Sequence, residues 1–572
     1  MHFDSIVTFY HFNIGHWGID MSKKETIENT KVKSQLMEDK PVLHADHPKP
    51  KTRREFLSYG LIGAAGYAFG PNINNILNLS PMEVMAQECA HPLMCKTVPY
   101  MCFEAAGGMN LPGGNVIVGF GAGEDQEDFG SSQSLSDFVR MGLPSTMHPS
   151  LSGMISPAYG LKFHSTSGLL RGMNSVLAQS ETNPTDLRGS VEGVFVCAIS
   201  NDDTGSNPIN TAHMARKAGA RGDLVQILGT ANSDTGARST APQSEIDLLY
   251  RPSTIRKFGD GESLISIGDE MMGNNYLNGS EPTFGAGRLK AFMDIVRKVG
   301  VSRFREVASV ESEIRAKNKV SSTLGGAKDI FNKYSPVDLN PAKNSDINTL
   351  RTIFGTQQMD NSYVIGSKEE EVAAISNLVT KGIAGSGTVV MGGYDYHNGS
   401  AVTGQMKDYN LGRYIGMTIK LAAARGENMF IHLYTDGGVT GDSGGAIDNS
   451  PGGAGRVNWV SDSGTRSGTL MLVYKHNHNR VDYGESSNML LSGRKRQIGY
   501  FVQGGGVNAG ATSMSNNVAQ LWKSVILNYL ATMVNSNDDD EVVRVAGDVF
   551  ESRFGELPPD WQQLIRLRSL VA

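Results

Sequence analysis

The chain has 572 residues, 39% hydrophobic and 8% aromatic, with a formal net charge of −6. That balance suits a soluble globular protein, and without a basic stripe it excludes nucleic acid as an expected partner. No run is long and apolar enough to make a stable membrane span, which needs about 20 residues.

In chain order, the first element is a leader. Arg53-Arg54-Glu55-Phe56-Leu57 opens a short apolar run to Phe69, diluted by Gly60, Gly63 and Gly66 and followed by Pro71. Paired arginines (Arg53, Arg54), then Phe56 and Leu57, then a weakly hydrophobic Gly-rich stretch resemble a bacterial twin-arginine export signal. The resemblance implies a chain that folds in the cytoplasm, engages the twin-arginine translocase and ends in the periplasm or is secreted. Residues 1–86 are then an N-terminal extension and signal, with Met21 an alternative start and a poorly formed cleavage site after Ala86. The competing reading is a buried helix preceded by two surface arginines.

Cys89, Cys95 and Cys102 cluster at the mature N-terminus, and Cys197 stands apart. In an oxidising compartment a disulfide among the first three would staple that end. Unpaired buried thiols are the alternative, and the spacing fits no zinc knuckle.

Six short apolar runs then read as buried strands: 115–120, 193–199, 387–391, 429–434, 469–474 and 497–502. Helical periodicity falls over 210–218, 287–317, 369–383, 411–425 and 517–533. This alternation predicts an α/β fold, a doubly wound, mainly parallel sheet with helices on both faces. The domain is expected over 87–535, with a helical insertion at 286–366 and an acidic, helical tail at 536–572.

In such a sheet, ligands bind beyond the carboxyl ends of the strands. The run 387–391 leads into Gly392-Gly393-Tyr394-Asp395-Tyr396-His397-Asn398, and 429–434 leads into Thr435-Asp436-Gly437-Gly438. Asp395 and His397 are two apart, so an extended backbone points both side chains the same way. With Asp436 they start a site for a divalent metal such as zinc or manganese. The plainer reading makes Asp395 and Asp436 caps of turns or helices and His397 an exposed loop residue. A calcium site from Asp436, Asp442 and Asp448 is a further option, without the repeat that such sites carry.

The segment from Gly392 to Asn398, a helix, and a strand ending in Thr-Asp-Gly-Gly are similar to the C-terminal half of a bacterial exported family. It is the domain of unknown function numbered fifteen hundred and one, a branch of the alkaline phosphatase superfamily. Phe103 to Pro112 resembles its first strand and Gly-rich turn, Met147 to Leu151 its His-Pro-x-Leu element, and Gly504 to Val507 a late Gly-Gly-Gly-Val turn. Asn210 to Lys217, with His213, sits where members of that family have a Ser-His segment before a helix. The resemblance implies an alkaline-phosphatase-like sheet, a metal pair at Asp395 and His397, and a further acidic ligand at Asp436. Two departures stand out. The superfamily's nucleophile belongs in the first Gly-rich turn, where this chain has Met109-Asn110, neither a competent nucleophile. The later Asp-His-Gly element is replaced by Ser461 to Gly468, with no histidine, leaving His476 and His478 as substitute ligands.

Gly441 to Gly445 copies a serine-protease nucleophile loop, but the surrounding α/β pattern lacks the two-barrel scaffold of that family. Two functions follow. One is a non-catalytic exported protein whose loops bind or assemble. The other is a divalent-metal-dependent hydrolase of phosphate or sulfate esters, with water as nucleophile.

Overall fold

The computed structural model describes residues 91–572, except 95, 131–133, 180–184, 201–206, 230–239, 248–249, 251, 265–332, 361, 395, 398–400 and 479–488. The leader (Arg53, Arg54, Phe56, Leu57), Cys89, Cys95, Asp395 and the expected helix at 287–317 lie outside the described residues.

Eight strands form the central sheet: β1 (Tyr100–Ala105), β2 (Val191–Cys197), β3 (Val225–Gly229), β4 (Ser253–Thr254), β5 (Ala384–Met391), β6 (Met429–Thr435), β7 (Gly468–Tyr474) and β8 (Gln497–Ile498). Their order is β8-β2-β7-β6-β1-β5-β3-β4. All pair in parallel except β7, which runs against both β6 and β2. The fold is therefore α/β with a mixed, mostly parallel sheet.

Both faces of the sheet are covered, which is why its inner strands read as unbroken apolar runs. Along β1, Met101, Phe103 and Ala105 enter one core, whereas Tyr100 and Cys102 enter the other. The first core is roofed by α2 (Gly168–Leu177), α5 (Ser367–Thr380) and α6 (Ala401–Arg425), with α1 (Ser134–Arg140) and α4 (Asp346–Phe354) beside them. The second is roofed by α3 (Ala212–Ala218), α7 (Leu521–Met533) and α8 (Asp539–Phe554). Val542, Val545, Phe550, Leu564 and Leu567 are buried in that core, so the C-terminal tail is built into the domain. Its helix α8 starts where sequence dictates: Asp538 caps the Glu541 amide at 2.9 Å and three acidic residues fill the first turn. Among the described residues no helix is long and apolar enough to cross a membrane.

Two expected strands change. The run 115–120 is buried but irregular, with only isolated bridges from Val116 to Pro112 and to Phe163 among the described residues. Gly113, at φ +76°, folds the chain back so that its amide meets the Val116 carbonyl. The run 497–502 is split into Gln497–Ile498 and Phe501–Val502 by Gly499 at φ +73°. Strands β3 and β4 and helices α1, α2 and α4 are additions to the sequence reading.

Helices α2 and α6 cross at backbone distance. A Cβ on Gly172 would lie 2.1 Å from the Tyr409 carbonyl oxygen, and one on Gly412 would lie 2.2 Å from that of Leu169. Gly168-x-x-x-Gly172 faces Gly412-x-x-x-Gly416 at this crossing. Only hydrogen at these positions permits the approach.

Candidate functional site

Strands β5, β1 and β6 lie side by side, so their carboxyl ends deliver three loops to one rim. The middle loop is the Gly-rich turn 106–110. Gly107 (φ +115°) and Gly108 (φ +92°) aim successive amides inward. Both donate to Asp436 Oδ1, at 2.7 and 2.8 Å, and Asp436 is fully buried. Consecutive amides of this kind form an anion-binding nest. Here the anion is the chain's own carboxylate. Asp436 is also held through its backbone, whose carbonyl accepts from Ser200 Oγ at 2.6 Å and from Asn207 Nδ2. Next to it, Thr435 Oγ1 accepts from the Met109 amide at 3.0 Å.

A buried polar network lies behind the turn. Asn110 N donates to the Tyr396 hydroxyl at 2.7 Å. Asn115 Nδ2 donates to Asp408 Oδ2 at 2.7 Å and to the Asn110 carbonyl at 2.6 Å. Ser167, the N-cap of α2, donates through Oγ to Asn115 Oδ1 at 2.7 Å. Arg456, fully buried, donates through Nη2 to the Gly114 carbonyl at 2.5 Å and to Thr166 Oγ1 at 2.9 Å. Burial pushes the Asp408 carboxyl up to about 7, against the pull of Asn115 and Arg456, and brings the Arg456 guanidinium down to about 10.

His397, at the same rim, faces a residue absent from the expected ligand set. Its Nδ1 lies 2.8 Å from Asp462 Oδ1. Asp462 sits on a hairpin in which Gly438–Gly441 pairs with Trp459–Ser463, opposite Val439. The rim thus brings His397 to Asp462, while Asp436 is turned onto the Gly107 and Gly108 amides. His476 and His478 are elsewhere. They follow the carboxyl end of β7, and because β7 is reversed that end lies at the amino edge of the parallel strands. Seven residues at about 3.3 Å each put them roughly 20 Å from the rim. They cannot complete a metal site with Asp436 and His397.

Among the described residues no group of three or more His, Cys, Asp or Glu side chains is placed to hold a metal ion. Asp436 Oδ1 is committed to two amides, and Asp395, the partner of His397 in the metal pair that the resemblance implies, lies outside the described residues. His213 is buried on α3, behind the opposite face. Cys102 and Cys197 are buried free thiols, and Cys102 Sγ lies 3.5 Å from Thr211 Oγ1. Asp442 and Asp448 accept from the nearby Gly444 and Ser450 amides and form local turns.

Asp408, Arg456, Asn115 and Asp462 are additions to the sequence reading. Asp408 had a signal. It stands three and seven residues before Leu411 and Ile415, on the apolar stripe of one helix. A carboxylate on such a stripe must be partnered or neutral. Arg456 and Asp462 carried none, because a Gly-rich loop has no period.

No protein-family model, curated protein or solved structure matches this chain.

Proposed function

We propose that this is an exported, non-catalytic protein that uses a degenerate alkaline-phosphatase-like domain for binding or assembly. The observation that carries the reading is the occupation of the Gly107–Gly108 nest by Asp436 Oδ1. Amides that could hold a reacting anion are already bonded to a buried side chain. The adjacent Met109 and Asn110 are buried and offer no hydroxyl or thiol for attack. The loops around the rim are the recognition surface in this reading, since they are held by a rigid sheet.

The test is turnover. Protein purified from the periplasm, supplied in turn with zinc, manganese and calcium, is expected to leave p-nitrophenyl phosphate and p-nitrophenyl sulfate unhydrolysed. Metal-dependent turnover that disappears in Asp395→Ala would establish the hydrolase instead; the pairing of His397 with Asp462 at the rim is the feature that favours it. Export is tested separately. Arg53→Lys with Arg54→Lys should leave precursor in the cytoplasm, and normal export of that variant rejects a twin-arginine route.

A further inference from the structure

At the amino edge, away from the rim, a cleft of about 520 Å³ opens between the segment entering β2, the second half of α6 and the turn after β7. That volume is in the range of small-molecule sites. Lys420, His476, His478 and Tyr474 line it. Lys420 is half-buried and has no carboxylate partner among the described residues; burial alone lowers its ammonium pKa from the ordinary value. The acidic side chain in the wall is Asp186. It is already held by Arg188, with Nε 3.0 Å from Oδ1 and Nη2 2.6 Å from Oδ2. Among the described residues, the negative charge in the wall is thus already offset by Arg188.

Its donors are fixed by the backbone. The His476 amide donates to Asn428 Oδ1 at 2.8 Å, and the His476 ring lies 3.3 Å from the Tyr474 hydroxyl. Lys475 N donates to the Ser190 carbonyl at 3.0 Å, and Ser190 Oγ donates to the His478 carbonyl. These bonds tie the histidine turn to the wall that leads into β2. No third metal-type ligand joins the two imidazoles among the described residues.

We infer that this cleft binds a small phosphate- or sulfate-type oxyanion, with Lys420 as counter-charge and the His476 and His478 imidazoles as hydrogen-bond donors; the Tyr474 hydroxyl, donating to His476 Nδ1, leaves Nε2–H of that ring for the anion. An ammonium offers three donors to a tetrahedral anion, and charge-assisted bonds are the strong ones. The site is independent of the carboxyl rim, and neither reading requires the other.

Isothermal titration of the full chain with inorganic phosphate tests it. Saturable binding of one ion per chain is expected, weakened about tenfold or more in Lys420→Met, the loss of one charge-assisted hydrogen bond. Lys420→Arg should retain binding, and Lys523→Met, on the other face, should leave it unchanged. His476→Ala gives a second reading if Lys420→Met loses its circular-dichroism spectrum. Tighter binding of glucose 6-phosphate than of phosphate assigns the ligand as an ester, and equal binding assigns the free ion. Absence of saturable heat up to about 10 mM phosphate, or equal affinity in a folded Lys420→Met or His476→Ala, overturns the proposal.

Discussion

Replacing Asp436 with alanine separates a strut from a ligand. The wild-type carboxylate accepts two backbone amides, at 2.7 and 2.8 Å, in a fully buried position. Each hydrogen bond to a charged acceptor contributes about 1.5–3 kcal/mol, so losing both costs about 3–6 kcal/mol. That is a large part of the about 5–15 kcal/mol that holds a typical domain together. With a urea slope of about 3–4 kcal/mol/M for a chain of this size, the unfolding midpoint should fall by about 1–2 M. Asp436→Asn keeps an oxygen acceptor without the charge and should lose about half as much. The assay is urea unfolding followed by far-ultraviolet circular dichroism in excess chelator, so that metal linkage cannot contribute. If Asp436→Ala and wild type unfold at the same midpoint in chelator, the carboxylate does not brace the turn and the reasoning is refuted.

Other outcomes follow from the same structure. Asp408 titrates at about 7 in the folded chain and near 3.9 when unfolded, so the native state retains its proton over that interval. Its contribution is fully present below about pH 4 and lost as pH rises through about 7; Asp408→Asn should flatten that loss, and an unchanged slope in urea unfolding between about pH 5 and 8 would contradict it. His432 and His164 behave oppositely. Burial brings both down to about 3, so the stability they allow is present above about pH 6.5 and lost as pH falls toward 3. His432→Gln, neutral throughout, should therefore reduce acid lability, measured as the midpoint difference between about pH 7 and 5. Gly172→Ala should cost about 1–3 kcal/mol by prising α2 from α6, whereas Gly392→Ala, with open space around it, should stay within about 0.5 kcal/mol. Equal thermal midpoints for those two variants would remove the close helix crossing as a source of stability.

The sheet was legible where burial on both faces leaves an uninterrupted apolar run, as in 387–391, 429–434 and 469–474. It was illegible where glycine reverses the chain, as at Gly113, or where polar residues lie inside a strand. Val225–Gly229 holds Gln226, whose amide is satisfied by the Gly222 carbonyl at 2.9 Å. Helix α6 begins ten residues before the run 411–425, because Gly404 and Asp408 interrupt its apolar signal. At the site, Asp436 could be located by its place after a strand. Its bonding could not, since the partners are backbone amides more than 300 residues away. The separation of His476 and His478 from the rim depends on the direction of β7, and an apolar run carries no mark of direction.

That reversal has an architectural consequence. Antiparallel neighbours can be joined by a hairpin, whereas parallel ones demand a long return path across a face. The 32 residues from Asp436 to Ser467 therefore need not cross the sheet at all. They stay above the carboxyl edge, and the strand order beneath does not depend on their path. In this chain that path sends Arg456 back under the first glycine turn and seats the Trp459 ring against Gly142. The connection between the two antiparallel strands is thereby the one that fastens the turn at Gly113 and Gly114.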